Sequence, residues 1–322
     1  LDIRELERVY TLSCGDEASS LSSPEVEMFH PSAPVPESGS LTIERERIEK
    51  ICECNAFGSS VFSDRGAAKQ KVENKDGDGG EYVGLWVLPA FMNHSCVPSA
   101  TRLLVGTTMF VRATRDLEAG EEITHKYFDV SQQLAMRRLQ AKKWGFSCSC
   151  KRCLSEASRG ADVMRALANL EAKTQEARTA IAKVVADQRL SEQGALPVNE
   201  FMEEHKRFEN LLDKLDKPTP LDEKERAWLV NSALSFYMCL ALMLALNGDM
   251  EKRLELNAQV CKALEETDGS NFDHCKMAMV QLHSAKKLYG RKSPEVRHVQ
   301  ETLVIRVRRF CAQGRSWRRM AK

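Results

Sequence analysis

Three closely spaced cysteines make the strongest candidate for a metal site in this chain of 322 residues. They are Cys148, Cys150 and Cys153, in the run Cys-Ser-Cys-Lys-Arg-Cys. Thiolates at this spacing can chelate a soft divalent ion, and structural zinc takes four ligands in a tetrahedron. The alternative is a cluster of reduced cysteines in a protein core. The ligand spacing favours zinc, which then needs a fourth ligand from elsewhere in the chain.

Two further motifs upstream of the cysteines carry polar and aromatic side chains at short spacing. One runs from Asn93 to Cys96 as Asn-His-Ser-Cys, and the other is Gly-Glu-Glu-Ile-Thr-His-Lys-Tyr, which ends at Tyr127. A lone histidine or tyrosine of this kind is usually structural. Glu121 and Glu122 are not interpreted as an acid/base pair, because adjacent residues on a strand point to opposite faces.

Taken in order, these three motifs resemble the catalytic half of a SET-domain protein-lysine methyltransferase with a cysteine-rich post-SET segment, of the SMYD-like branch. The resemblance covers about residues 48–153. It implies transfer of a methyl group from S-adenosylmethionine to a lysine of a histone or another protein, with a structural zinc ion. By resemblance, the catalytic residue is Tyr127, the cofactor contacts come from Asn55, Asn93, His94, Tyr127 and Phe146, and the zinc ligands are Cys96, Cys148, Cys150 and Cys153.

A tyrosine suits the chemistry that the resemblance implies. Methyl transfer from a sulfonium to an amine is an in-line displacement, which needs alignment of the reacting atoms more than a strong acid or base. A phenol can orient the amine through its hydroxyl group without carrying charge. The substrate lysine has to lose a proton, and a narrow, partly apolar channel lowers the lysine pKa by disfavouring the charged form.

The sequence also departs from the family pattern. No Gly-x-Gly turn occurs in residues 1–60, no MYND zinc finger is found, and Ser99 stands where many relatives have Asn. The chain begins with Leu1 rather than with Met, which is expected if the protein is processed, trimmed or truncated. These departures sustain an alternative function, a catalytically silent SET remnant that acts as a protein-interaction module. A zinc-dependent nucleic-acid binder would need a basic face near the cysteines, and Lys151 and Arg152 alone are too few.

Short β-prone segments are expected to position the motifs. A helix is predicted over 2–12, a mobile acidic, Ser- and Pro-rich segment over 13–40, and a helix over 41–52. Strands are predicted over 82–88, 101–105, 109–113 and 123–128, with a hairpin between the second and the third. Gly84 marks a point where close packing or an unusual backbone conformation is needed.

From Ser155 onward the sequence predicts an all-α, TPR-like array without a clean 34-residue repeat. Helices are predicted over 163–185, 201–215, 223–246, 250–266, 272–289 and 294–310. The apolar stretch 227–245 contains Asn231, Ser232 and Ser235, so a core helix is expected rather than a membrane span. The basic tail from Arg306 is expected to be solvated.

The predicted fold class is α+β: a β-rich SET-like domain with a zinc-bound post-SET segment, followed by the helical array. The expected boundaries are 1–40, 41–147, 148–154 and 155–322.

The net charge of +1 gives no overall electrostatic attraction for nucleic acid or membrane, so neither is an expected partner. The expected partners are a protein substrate with a target lysine and a protein bound by the helical domain. Eleven cysteines without a secretory signal predict a reducing compartment, the nucleus or cytoplasm.

Overall fold

The structure is a computed structural model of the chain, and it describes residues 45–58, 83–105, 108–186, 196–215, 221–268 and 272–310. The helix predicted over 2–12, the segment 13–40 and the tail beyond 310 lie outside the described residues. Two compact units are distinguished. The first comprises residues 1–93, 102–111 and 138–148, and the second comprises 94–101, 112–137 and 149–322.

The first unit packs a small core around one helix. The helix α1, Arg45–Asn55, is followed by β1, Phe57–Gly58, which pairs antiparallel with β2, Val83–Gly84. Ile51 of α1 is fully buried and is packed by apolar side chains that include Leu85 and Phe91. A Cβ atom at Gly84 would lie 2.5 Å from the Trp86 ring, so the close packing expected at this glycine is present.

Further strands surround the predicted motifs. The strand β3, Asn93–His94, pairs with β6, Thr124–His125, and β4, Ala100–Val105, pairs with β5, Thr108–Ala113. The predicted hairpin is therefore confirmed. Two strand predictions were too long: among the described residues, only 83–84 of 83–88 and 124–125 of 123–128 are strand. The end of the predicted strand 82–88 belongs instead to the short helix α2, Val87–Ala90. Pro89 is tolerated there because the N–H groups in the first turn of a helix have no partner within the helix.

Helices follow the strands. They are α3 Leu134–Lys143, α4 Lys151–Ser158, α5 Ala161–Ala186, α6 Val198–Lys214, α7 Glu223–Ser232, α8 Leu234–Leu246, α9 Met250–Asp268, α10 Phe272–Tyr289 and α11 Pro294–Phe310. The helices expected after Ser155 are all present, except that the predicted helix 223–246 is two helices. A bend of 72° separates α7 from α8 at Ala233. Neither α3 nor α4 was predicted.

The core of the second unit is formed by α5 to α10. Its buried residues run from Val163 to Met277, with Phe201, Phe236 and Tyr237 among the largest. Asp222 caps α7 by accepting from the backbone N–H of Glu225, at 2.7 Å. Among the described helices, none is by itself long and apolar enough to cross a membrane, and α7 with α8 meets that test only as a bent pair. The predicted organisation, short strands followed by a helical C-terminal region, is confirmed for the described residues.

Candidate functional site

Four thiols lie close enough together to hold one metal ion. The Sγ atoms of Cys96, Cys148, Cys150 and Cys153 all lie within 4.8 Å of one another, and those of Cys96 and Cys153 are 3.6 Å apart. Sulfurs bound tetrahedrally to zinc at about 2.3 Å lie about 3.8 Å from one another. The donor set and the spacing therefore fit a single tetrahedral ion of zinc type.

Local structure explains how distant cysteines converge. Cys96 follows β3, which is held by a hydrogen bond from the Ser95 amide to the His125 carbonyl, at 3.1 Å. Cys150 is the N-cap residue of α4, and Cys153 lies in its first turn. Residues three apart on a helix share one face, so the start of α4 presents two thiols together.

His94 connects the thiol cluster to the segment that carries Tyr127. Its Nδ1 atom accepts a hydrogen bond from the Tyr127 backbone N–H, at 3.1 Å, so the neutral ring carries its proton on Nε2. That Nε2 atom lies 3.3 Å from the Cys96 Sγ and donates to it. The ring also stacks on Phe128, with centroids 4.3 Å apart. Both ring nitrogens thus serve the internal structure of the site.

The hydroxyl group of Tyr127 is held in its protonated form. Tyr127 is largely buried, and burial, with a smaller contribution from the negative charge of Glu122, raises its pKa above the ordinary value. At neutral pH the phenol is therefore uncharged. It can orient a nucleophile through hydrogen bonds, and it is not a base.

Sequence reasoning missed His125, which belongs to the same site. Its side chain is buried, and its ring centroid lies 4.9 Å from that of Tyr127. Its Nδ1 atom is 3.1 Å from the Lys126 carbonyl, to which it donates. The signal was present in the sequence, because residues two apart on a strand share a face.

Ser99 and Glu121 fix the turns around the site. The Ser99 hydroxyl donates to the Glu122 carbonyl, at 3.1 Å, and accepts from the Thr124 amide, at 2.8 Å. Ser99 therefore joins the loop that follows Cys96 to β6. Glu121 forms an ion pair with Arg115, and the Arg115 Nη1 donates to its Oε2 at 3.0 Å.

The other predicted cofactor residues belong to the first unit. Asn55 ends α1 and donates its side-chain Nδ2 to the Ile51 carbonyl, at 2.9 Å. Asn93 is exposed at the start of β3, and Phe146 is partly exposed after α3. His94 and Tyr127 belong to the second unit. The cofactor role of these five residues stays a prediction.

A glycine-terminated helix end sets the backbone of Phe146. Gly145 has φ +77°, in the left-handed region. The Phe146 amide donates to the Ala141 carbonyl and the Gly145 amide donates to that of Lys142, both at 3.1 Å. This is a Schellman helix end, which the Trp-Gly-Phe sequence encodes through its glycine.

Comparison with known proteins identifies the kind of domain. Residues 18–128 match the SET domain family. The chain is 36% identical over 88 residues to a potential protein lysine methyltransferase, SET6, of Saccharomyces cerevisiae, an alignment that covers 26% of this chain and 24% of the relative. It is 30% identical over 112 residues to a SET and MYND domain-containing protein of Dictyostelium discoideum, covering 34% of this chain and 31% of the relative.

A third similar protein is the human protein-lysine N-trimethyltransferase SMYD5, 35% identical over 109 residues, which cover 32% of this chain and 25% of the relative. The chain thus spans about a quarter to a third of the length of these curated relatives. It carries a SET domain whose relatives are SMYD and SET-family methyltransferases. The resemblance seen in the sequence is confirmed.

Proposed function

We propose that this chain is a protein-lysine N-methyltransferase that uses S-adenosylmethionine and a structural zinc ion. Protein-lysine methylation in general is supported by the SET domain and by its methyltransferase relatives. The observation that carries the proposal is the linkage through His94. One ring nitrogen holds the Tyr127 backbone and the other holds Cys96 of the thiol cluster.

The residues present fit the cofactor and the metal in their chemistry. S-adenosylmethionine, when bound, supplies an electrophilic methyl group. Phe146 offers a partly exposed aromatic ring for the adenine, and Asn93 is exposed for polar contacts. His94 would contact the cofactor through its backbone, because both ring nitrogens already have partners in the chain. The four thiols would hold zinc as a structural staple.

Tyr127 carries the catalytic part of the proposal. Its uncharged hydroxyl would orient the substrate amine in line with the methyl group. The aromatic rings of Phe128 and His125 lie beside the site, and such surroundings disfavour a charged lysine and so lower its pKa. The proposed substrate is a lysine of a histone or of another protein.

We also propose a protein partner for the helical domain, and the nucleus or cytoplasm as the compartment.

The proposal is tested by calorimetric titration of the full chain with S-adenosylmethionine and by methyl transfer to histones and to a cell lysate. The variants are Tyr127→Phe and, as a control, Tyr289→Phe, which alters an exposed tyrosine of α10. We expect Tyr127→Phe to keep cofactor binding and to lose methyl transfer by about 100-fold or more, because the hydroxyl oxygen that would accept from the amine N–H and align its lone pair is gone. The control should match the wild type.

Two results would overturn the proposal. Absence of cofactor binding by the wild type would favour the alternative, a silent SET remnant that acts through protein contacts. Methyl transfer that survives in Tyr127→Phe at the wild-type rate would remove this tyrosine from the catalytic role.

A further inference from the structure

A buried ionic network lies directly beside the thiol cluster. Arg137 of α3, Arg152 and Glu156 of α4 and Ser232 of α7 are each at most 4% exposed. Glu156 accepts from Arg137 Nη2 at 2.9 Å and from Arg152 Nε at 2.7 Å. All four residues belong to the second unit.

One hydroxyl group joins the network to the helical core. Ser232 Oγ accepts from Arg137 Nη1 at 3.1 Å and from Arg152 Nη2 at 2.7 Å, and it donates to Glu156 Oε1 at 3.0 Å. A serine hydroxyl has one donor and two acceptor sites, so its full hydrogen-bonding capacity is used. The network therefore joins Arg137 and the two charged residues of α4 to α7 through hydrogen bonds.

The charges of this network do not cancel. Two guanidinium groups share one carboxylate, which leaves one positive charge in excess. A buried charge is strongly unfavourable unless an opposite charge lies near it. The sulfur of Cys153 lies 3.9 Å from Arg137 Nη2. Four cysteinates around one Zn²⁺ ion would carry a net charge of −2, opposite in sign to the excess charge of the network.

We propose that Arg137 is a positioning residue for the metal cluster: its guanidinium donates to the Cys153 sulfur and, through Ser232, holds that sulfur against α7. This inference rests on the zinc site of the proposed function. A metal-bound thiolate needs hydrogen-bond donors around it, and loss of such a partner weakens metal binding by about 10- to 100-fold. Arg137 supplies one donor to Cys153, and His94 supplies one to Cys96.

The test uses the full chain, reduced and stripped of metal, with Zn²⁺ affinity measured by competition against a coloured chelator. Titration with Co²⁺ is a second probe, because the sulfur-to-cobalt charge-transfer band reports thiolate coordination directly. The test variant is Arg137→Met. The matched control is Arg226→Met, which removes an arginine of α7 that pairs with Glu209 and Asp213 instead.

We expect Arg137→Met to bind Zn²⁺ about 10- to 100-fold more weakly than the wild type and to lose charge-transfer intensity at limiting Co²⁺. Arg226→Met should lower the thermal stability and leave the Zn²⁺ affinity within about twofold, because it changes only ion pairs away from the thiols. This contrast separates a role at the metal from a general loss of structure. Equal Zn²⁺ affinity in Arg137→Met and the wild type would overturn the proposal.

Arg137→Lys keeps the positive charge but replaces the planar guanidinium group, which has several N–H donors, with a single ammonium group. Arg137 uses Nη1 for Ser232 and Nη2 for Glu156 and Cys153, and a single ammonium cannot serve both directions. We expect an affinity between those of Arg137→Met and the wild type. If Arg137→Met does not fold, unchanged affinity in Arg137→Lys overturns the proposal. Failure of the wild type to bind either ion would instead refute the zinc site of the proposed function, while leaving cofactor binding to its own test.

Discussion

At the scale of single residues, His94 has the most demanding position in the candidate site. It accepts from the Tyr127 amide and donates to Cys96, and its ring lies between Phe128 and Tyr127. The sequence supplied the residue types but not this linkage, because His94 and Tyr127 are 33 residues apart. Spacing along the chain does not specify which ring nitrogen meets which partner. That depends on the pairing of β3 with β6.

The first prediction concerns His94→Ala. The substitution leaves the partly buried Tyr127 amide without its acceptor and removes the stacking on Phe128. Loss of such a partner costs about 1–3 kcal/mol. We expect the free energy of unfolding in urea to fall by about 2 kcal/mol, whereas His283→Ala, at an exposed position of α10, should leave it nearly unchanged. Equal stability of both variants would contradict the linkage through His94.

The second prediction concerns the carboxyl group of Glu121. The hydrogen bonds from Arg115 are the main cause that lowers the pKa of Glu121 to about 2. This pKa is lower in the folded chain than in the unfolded chain. The ion pair therefore stabilises the fold at pH values above the ordinary glutamate pKa of about 4.3, and this stabilisation is lost as the pH falls toward 2. Titration of the carboxyl group by NMR should give this value.

Arg115→Gln should return the pKa of Glu121 to the ordinary range, because the charged donor is gone. Arg138→Gln, which alters an exposed arginine of α3, is the control. An unchanged pKa in Arg115→Gln would show that the ion pair does not form in solution.

At the scale of elements, the long helices were predictable and the short elements were not. Apolar periodicity over 17 or more residues identifies α9, α10 and α11 almost to the residue. The break between α7 and α8 was missed because Ala233, where the chain bends, is itself a good helix former. Only the packing of the two helices selects a bend there.

The helices α3 and α4 were missed for a different reason. They are 10 and 8 residues long, and charged side chains occupy much of α3. In α4 the buried positions include Arg152 and Glu156. A prediction based on the pattern of apolar and polar residues assigns such charged residues to the surface of a helix. The network that makes these charges acceptable in the interior reaches Ser232, 95 residues from Arg137. No local pattern predicts that contact.

The third prediction tests the end of α3. Gly145→Ala forces a side chain into the left-handed region, which costs about 1–2 kcal/mol. We expect lower stability and also weaker binding of S-adenosylmethionine, because the backbone of Phe146 depends on this turn. Urea unfolding and calorimetry measure the two effects.

Gly160→Ala is the matched control. Gly160 follows α4 with φ +84°, and a methyl group at this position would meet open space, so the backbone cost is the same. We expect the same loss of stability with normal cofactor affinity. Equal loss of affinity in both variants would argue against a role of Phe146 in cofactor binding.

At the scale of the whole molecule, the helical array has a core of its own. The buried cluster from Val163 to Met277 is drawn entirely from residues beyond Ser155. A core of this kind is consistent with independent folding of the residues beyond Ser155. The compact units divide the chain elsewhere, since residues 94–101 and 112–137 group with the helices.

The last prediction uses Glu156 to ask how the array depends on the rest of the chain. In the full chain, burial would raise the pKa of Glu156, but the charges of Arg152 and Arg137 outweigh it and hold the pKa below the ordinary value. Glu156→Gln removes the carboxylate between two buried arginines, and breaking a buried ion pair costs about 3–5 kcal/mol. We expect a loss of that size in the full chain at neutral pH, measured by urea unfolding.

A fragment that begins at Ser155 lacks both arginines, so the same substitution should change its stability by less than about 0.5 kcal/mol, as at an ordinary surface position. Comparing the four proteins therefore isolates the interaction between the helical array and the segment that carries the cysteines. A large loss in the fragment would show that Glu156 acts within the array itself. Failure of the fragment to fold would show that the array and the preceding segment form one cooperative unit.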